Sequence, residues 1–80
     1  MSIFSDRIKI LRLENDFTQK YIAEVLDITD RYYQKYEYGK VKPSQANLIK
    51  LADFYNVSTD YLLGRTDVKS VCIADQNPNI

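Results

Sequence analysis

The chain of 80 residues contains no histidine and a single cysteine, Cys72. Without histidine there is no imidazole acid–base pair and no histidine metal site, and one thiol lacking a histidine partner is a weak nucleophile. Neither an enzyme nor a metal centre is expected. One cysteine also excludes an internal disulfide, and with it the stapled mini-domains common among secreted proteins. No apolar run approaches the ~20 residues of a membrane-spanning helix. The opening MSIFSDRIK lacks the basic-then-apolar order of a signal peptide. A cytoplasmic protein without a membrane partner is expected. The segment GKVKPS lacks the first glycine and the adjacent Lys–Ser of a phosphate-binding loop, and no feature points to a cofactor or small-molecule ligand. An excess of one charge is missing too, since 11 basic and 11 acidic side chains cancel. Location matters more than the total. Residues 29–50 hold Arg31, Lys35, Lys40, Lys42 and Lys50 against Asp30 and Glu37, so that window carries 5 − 2 = +3 and the remainder −3. A local basic face is a usable electrostatic footprint even on a neutral protein.

What the chain does have is helical periodicity. At 45% hydrophobic residues it suits one small packed domain. Phe4, Ile8 and Leu11 share a face of a first helix over 3–14, with Ser2 or Ser5 available as its cap. Thr18 caps a second helix, QKYIAEVL, whose Ile22, Val25 and Leu26 point inward around the small Ala23. Thr29 caps a third helix that runs to about Glu37 and stops at Gly39, a left-handed terminator. Pro43–Ser44 opens a fourth, QANLIKLADFY, and Ser58 caps a short fifth, TDYLL, ended by Gly64. The spacing predicts an all-α, compact five-helix bundle over residues 1–65, followed by a short C-terminal tail, 66–80, whose order depends on finding a surface.

The stretch TDRYYQKYEYGK carries four of the seven tyrosines. On the third helix Tyr33 and Tyr36 are i, i+3 neighbours and fall on the core face. Tyr32 is rotated about 100° from that face and points outward, and Tyr38 sits at the helix end, where its hydroxyl can reach a partner.

A helix, a tight turn and a second capped helix over 18–37 make a helix-turn-helix. Here FTQKYIAEVLDITDRYYQKYEYGKVKPS, continued by LIKLADFYNVSTDYLLG, resembles the Cro/repressor-type (XRE-like) helix-turn-helix family of bacterial and phage regulators, with coverage of about residues 5–65. Its motif elements are the Thr–Gln opening helix two, Ala23, E-x-G-K after helix three, and PS…L-x-x-L-A…V-S-x-D-x-L-L-G. Each is weak alone; in order and at this spacing they are strong. The resemblance implies a λ-repressor-like domain whose third helix lies in the major groove of double-stranded operator DNA. Its function would be sequence-specific transcription regulation, most simply repression, by a homodimer formed at least on DNA. It also implies roles residue by residue. Asp30, Arg31, Tyr32, Gln34 and Lys35 occupy groove-facing positions that meet base edges. Thr18 and Gln19 meet phosphate at the start of helix two, and Lys40, Lys42 and the Tyr38 hydroxyl do so around the loop after helix three. Arg12 and Glu37 occupy the positions of a structural ion pair.

Three positions depart from the family pattern. Asp27 stands where the turn usually has glycine, Tyr38 replaces the common asparagine before Gly39, and Asp30 puts an acid at the first groove-facing position. A further feature lies outside the motif. Ile3, Ile10 and Leu13 form a second apolar stripe on helix one, opposite the core stripe. A solvent-facing stripe of this kind marks an interface, and Val68, Val71 and Ile73 of the tail are expected to cover it, within the chain or across a dimer. The alternative function is a protein-interaction module, such as an antitoxin or accessory regulator, built on the same fold.

Overall fold

Side-chain hydroxyls open four of the five helices in the computed structural model, which describes residues 3–69. The elements are α1 (Ile3–Glu14), α2 (Gln19–Leu26), α3 (Asp30–Glu37), α4 (Gln45–Tyr55) and α5 (Thr59–Leu63), with no strand among the described residues. The hydroxyls of Thr18, Thr29, Ser44 and Ser58 accept from the backbone N–H of Tyr21, Tyr32, Asn47 and Tyr61 at 2.9–3.1 Å. Each satisfies a donor that the first helical turn would otherwise leave open. At the other ends, Asp16, Asp27, Gly39, Asn56 and Gly64 all adopt positive φ. After α3 the Lys40 N–H returns to the Lys35 carbonyl at 2.9 Å and the Gly39 N–H to Tyr36 at 3.2 Å, which closes the carbonyl end of the helix. Asp27, at φ 58°, does what glycine does elsewhere in such turns, at a modest conformational cost.

Helix α1 does not use Ser5 as a cap. Ser5 lies inside the helix and is fully buried, because the helix already starts at Ile3 and position 5 turns toward the core. Ser2 lies outside the described residues. The core joins Phe4, Ile8 and Leu11 of α1, Ile22, Ala23 and Leu26 of α2, Tyr33 and Tyr36 of α3, Leu51 and Ala52 of α4, and Val57, Tyr61 and Leu62. Val25, expected inward, stands at the margin and is partly exposed. Helix α3 rests on both α1 and α2, and α5 bridges α1 and α4. Helix α3 is therefore supported by two helices at once.

The segment after α5 is held down along α1. The Arg7 guanidinium donates to the carbonyls of Tyr61 and Thr66 and to the Asp67 carboxylate, and lies 4.1 Å from the centre of the Tyr61 ring. The Ser58 N–H bonds the Lys69 carbonyl at 2.9 Å, and the Lys69 ammonium pairs with Glu14 at 3.3 Å. Ordered contacts thus continue past residue 65 to residue 69. The second stripe of α1 is exposed as expected, with Ile10 at 48% and Leu13 at 54% of full accessibility, but Val68 is itself 59% exposed and does not cover it. Residues 66–69 are held by polar contacts with Arg7, Glu14 and Ser58. Ile3 is exposed to the same degree, and part of its side chain lies against Gly64 and lines an apolar groove with Val41, Pro43, Leu48 and Leu63. Val71, Cys72 and Ile73 lie outside the described residues.

Candidate nucleic-acid interface

Helix α3 divides cleanly into an anchored side and an open side. Tyr33, Tyr36 and Glu37, at i, i+3 and i+4, are buried. The Tyr36 ring meets Phe4 edge-on at 6.0 Å, and its hydroxyl accepts from the Asn47 side chain at 2.8 Å. On the open side Asp30, Arg31, Tyr32 and Lys35 are exposed and Gln34 is half-buried. The Tyr32 ring leans edge-on against Tyr36, 5.3 Å between centres, so an exposed aromatic is held in place from beneath. Tyr38 is 56% exposed at the helix end. The tyrosines therefore split two and two, as the periodicity implies.

Lys40 and Lys42 follow on the loop and are exposed. Among the described residues none of Arg31, Lys35, Lys40 or Lys42 forms an ion pair, whereas Arg7, Arg12, Arg65 and Lys69 all do. The only acid of the 29–50 window left on the open side is Asp30, because Glu37 turns inward to Arg12. The strip from Asp30 to Lys42 consequently presents four cations to one anion, a stronger field than the whole-chain charge suggests.

Beneath this strip lies a buried polar knot. Glu37, 3% exposed, accepts from Arg12 through two nitrogens at 2.6 and 3.1 Å, from the Gln19 amide at 3.1 Å and from the Tyr33 hydroxyl at 2.5 Å. Arg12 also donates to the Phe17 carbonyl at 3.0 Å. Burial by itself would push the Glu37 carboxyl upward; the hydrogen bonds from Arg12, Tyr33 and Gln19 outweigh it and hold the pKa below the ordinary carboxylate range. The bond to Glu37 raises Arg12, and burial followed by the Glu37 bond raises Tyr33. Through Glu37 the charged pair and the Gln19 amide thus tie together α1, the start of α2 and the end of α3.

Thr18 and Gln19 stand at the exposed start of α2. Thr18 is exposed, but its hydroxyl already accepts from Tyr21. The Gln19 amide, expected to meet phosphate, donates to the Glu37 carboxylate. The backbone N–H groups of this helix start remain the feature suited to an anion. Tyr33, Gln19 and Asn47 are positioning residues that periodicity does not disclose. Their partners are 4, 18 and 11 residues away, and only the first separation is within a helical turn or so.

The geometry defines a helix-turn-helix domain, with α2 and α3 as the paired helices and α3 as the outward-presented one. The chain belongs to the helix-turn-helix family, whose model matches residues 8–62. It is 41% identical over 64 residues to the SPbeta prophage-derived HTH-type transcriptional regulator YonR of Bacillus subtilis, covering 80% of this chain and 59% of that one. To the HTH-type transcriptional regulator ImmR of the same organism it is 44% identical over 62 residues, covering 78% and 49%. Among solved structures, the P22 c2 repressor, determined with a synthetic operator, superposes with a TM-score of 0.72 at 22% identity, covering 79% of this chain and 96% of that one. That likeness establishes the repressor-type fold. The chain spans about half the length of the two Bacillus regulators. No helix among the described residues is long and apolar enough to cross a membrane.

Proposed function

We propose that this chain is a sequence-specific DNA-binding regulator of transcription, a repressor of prokaryotic or phage type, acting in the cytoplasm without a cofactor. The observation that carries the reading is the unpaired cationic strip on a helix whose opposite side is locked into the core. Helix α3 enters the major groove, where Arg31 reads guanine bidentately and Tyr32, Gln34 and Lys35 meet neighbouring base edges or phosphates. Asp30 stabilises the helix start through the dipole and can accept from cytosine. Tyr38, Lys40, Lys42, Thr18 and the N–H groups at Gln19 hold the phosphates that set register. A single module of this size offers limited contact area, so two copies bind a two-fold-related site as a homodimer. The names of the Bacillus relatives support the regulatory reading.

Selection of binding sites from random duplex DNA tests it. Expected is an enriched, two-fold-related motif whose binding weakens steeply with salt; a flat selection would overturn the reading. The exposed Ile10 and Leu13 and the balanced total charge favour a second reading, a protein-interaction module such as an antitoxin. Absence of any duplex binding at low salt would select that reading instead.

A further inference from the structure

On the open side of α3 one side chain is already held by the protein. Arg31 and Lys35 form no ion pair among the described residues. Tyr32 differs. Its ring leans edge-on against Tyr36, with 5.3 Å between centres and 67° between planes. The two are i, i+4 neighbours, the spacing that brings side chains together on a helix. Tyr36 is itself 1% exposed and fixed from several directions. It meets Phe4 edge-on at 6.0 Å and Tyr33 at 6.4 Å, and Asn47 donates to its hydroxyl at 2.8 Å. Edge-to-face aromatic pairs attract beyond the area they bury. Tyr32 nonetheless stays 40% exposed, so a supported ring still presents surface outward.

We propose that Tyr32 is a thymine reader: its ring packs against the 5-methyl group of a thymine in the major groove, and Tyr36 is the positioning residue that holds it there. The inference rests on the DNA-binding reading and assigns one base within it. The thymine methyl is the apolar group on the major-groove edges of the base pairs, and the exposed part of a hydrocarbon ring is its natural complement. Ordering cost favours the same residue. A long, unpaired side chain such as Arg31 or Lys35 loses rotamer freedom when it docks. Tyrosine has only two χ angles to fix, and the contact with Tyr36 limits them before DNA arrives. Tyr32 lies about 100° round the helix from Arg31, so the two side chains diverge toward different base pairs. The competing use of Tyr32 is its hydroxyl on a phosphate, which would position the backbone and carry no sequence information. What Tyr36 supports is the ring, and that favours the base.

Uracil supplies the probe, because it differs from thymine only by the missing methyl. In duplexes enriched by selection with the full chain, each thymine is replaced in turn. One thymine per half-site should be sensitive, with binding weakened about fourfold, the worth of one buried methyl-sized group. Tyr32→Ala should erase the thymine-to-uracil ratio at that position alone, and Tyr32→Phe should keep it. Tyr36→Leu, which keeps the core apolar but removes the supporting ring, should shrink the ratio, and Tyr36→Phe should restore it. The ratio is taken within each variant, so a general loss of stability does not move it, and the Tyr32 pair decides the matter if Tyr36→Leu does not fold. Overturning results are the absence of a uracil-sensitive thymine, a ratio that survives in Tyr32→Ala or in folded Tyr36→Leu, or uniform weakening in Tyr32→Phe, which would place the hydroxyl on phosphate. Sequence-selective binding without uracil sensitivity sinks this inference alone; no duplex binding at all sinks the DNA-binding reading with it.

Discussion

Replacing Glu37 by alanine is the most informative single change. The carboxylate is 3% exposed and serves Arg12, Gln19 and Tyr33 together. Its removal leaves the Arg12 guanidinium, 11% exposed, without a counter-charge and the fully buried Tyr33 hydroxyl without an acceptor. Breaking a buried pair from one side costs about 3–5 kcal/mol. A domain of this size has a total stability of roughly 4–12 kcal/mol, so Glu37→Ala should remove about a quarter of it or more. In urea the midpoint should fall with little change in slope. The double variant Arg12→Leu/Glu37→Leu should recover much of the loss, because the desolvation cost of both charges disappears with them. The pH dependence follows from the same knot. Glu37 has a folded pKa below its unfolded value, near 4.3 for an ordinary glutamate. The unfolded chain therefore binds more protons in that window. The contribution is full above the unfolded pKa and drains away as pH falls through the folded one. Glu37→Gln should flatten that acid limb. A cost under about 1 kcal/mol for Glu37→Ala, or a double variant that loses the plain sum of the two single losses, would refute a stabilising buried pair.

Other outcomes follow from the same geometry. Arg31→Ala should relax preference at one operator position, at about 1–3 kcal/mol of discrimination in competition binding. Lys42→Ala should weaken all sites alike and reduce the salt slope by about 1. Gly64→Ala should destabilise the fold, measured by thermal melting, because φ is 81° and the added methyl would come within 2.8 Å of the Ile3 side chain; a loss of about 1–3 kcal/mol is expected. The Tyr55 hydroxyl is buried without a hydrogen-bond partner among the described residues, and burial together with the Glu37 charge raises its pKa. Tyr55→Phe should therefore be neutral or stabilising by up to about 1 kcal/mol in urea titration.

Much of the architecture depends on signals that act within a turn or two of helix. Ser and Thr before an apolar period, Asp27 and the two glycines after it, and the i, i+3 placement of Tyr33 and Tyr36 are enough to mark where the helices lie and which side of α3 is free. The resemblance to repressor-type sequences added the Arg12–Glu37 pair, whose partners are 25 residues apart and share no local pattern. Tertiary structure alone decided the rest. It turned the Gln19 amide inward, made Glu37 the common acceptor of three helices, withdrew that charge from the basic window, and set Arg7 on a segment up to 60 residues away. It also showed that Ile3, half exposed like Ile10 and Leu13, packs in part against Gly64. Caps and periodicities are properties of neighbours along the chain. A hydrogen bond between distant side chains exists only once the core has fixed how the helices cross.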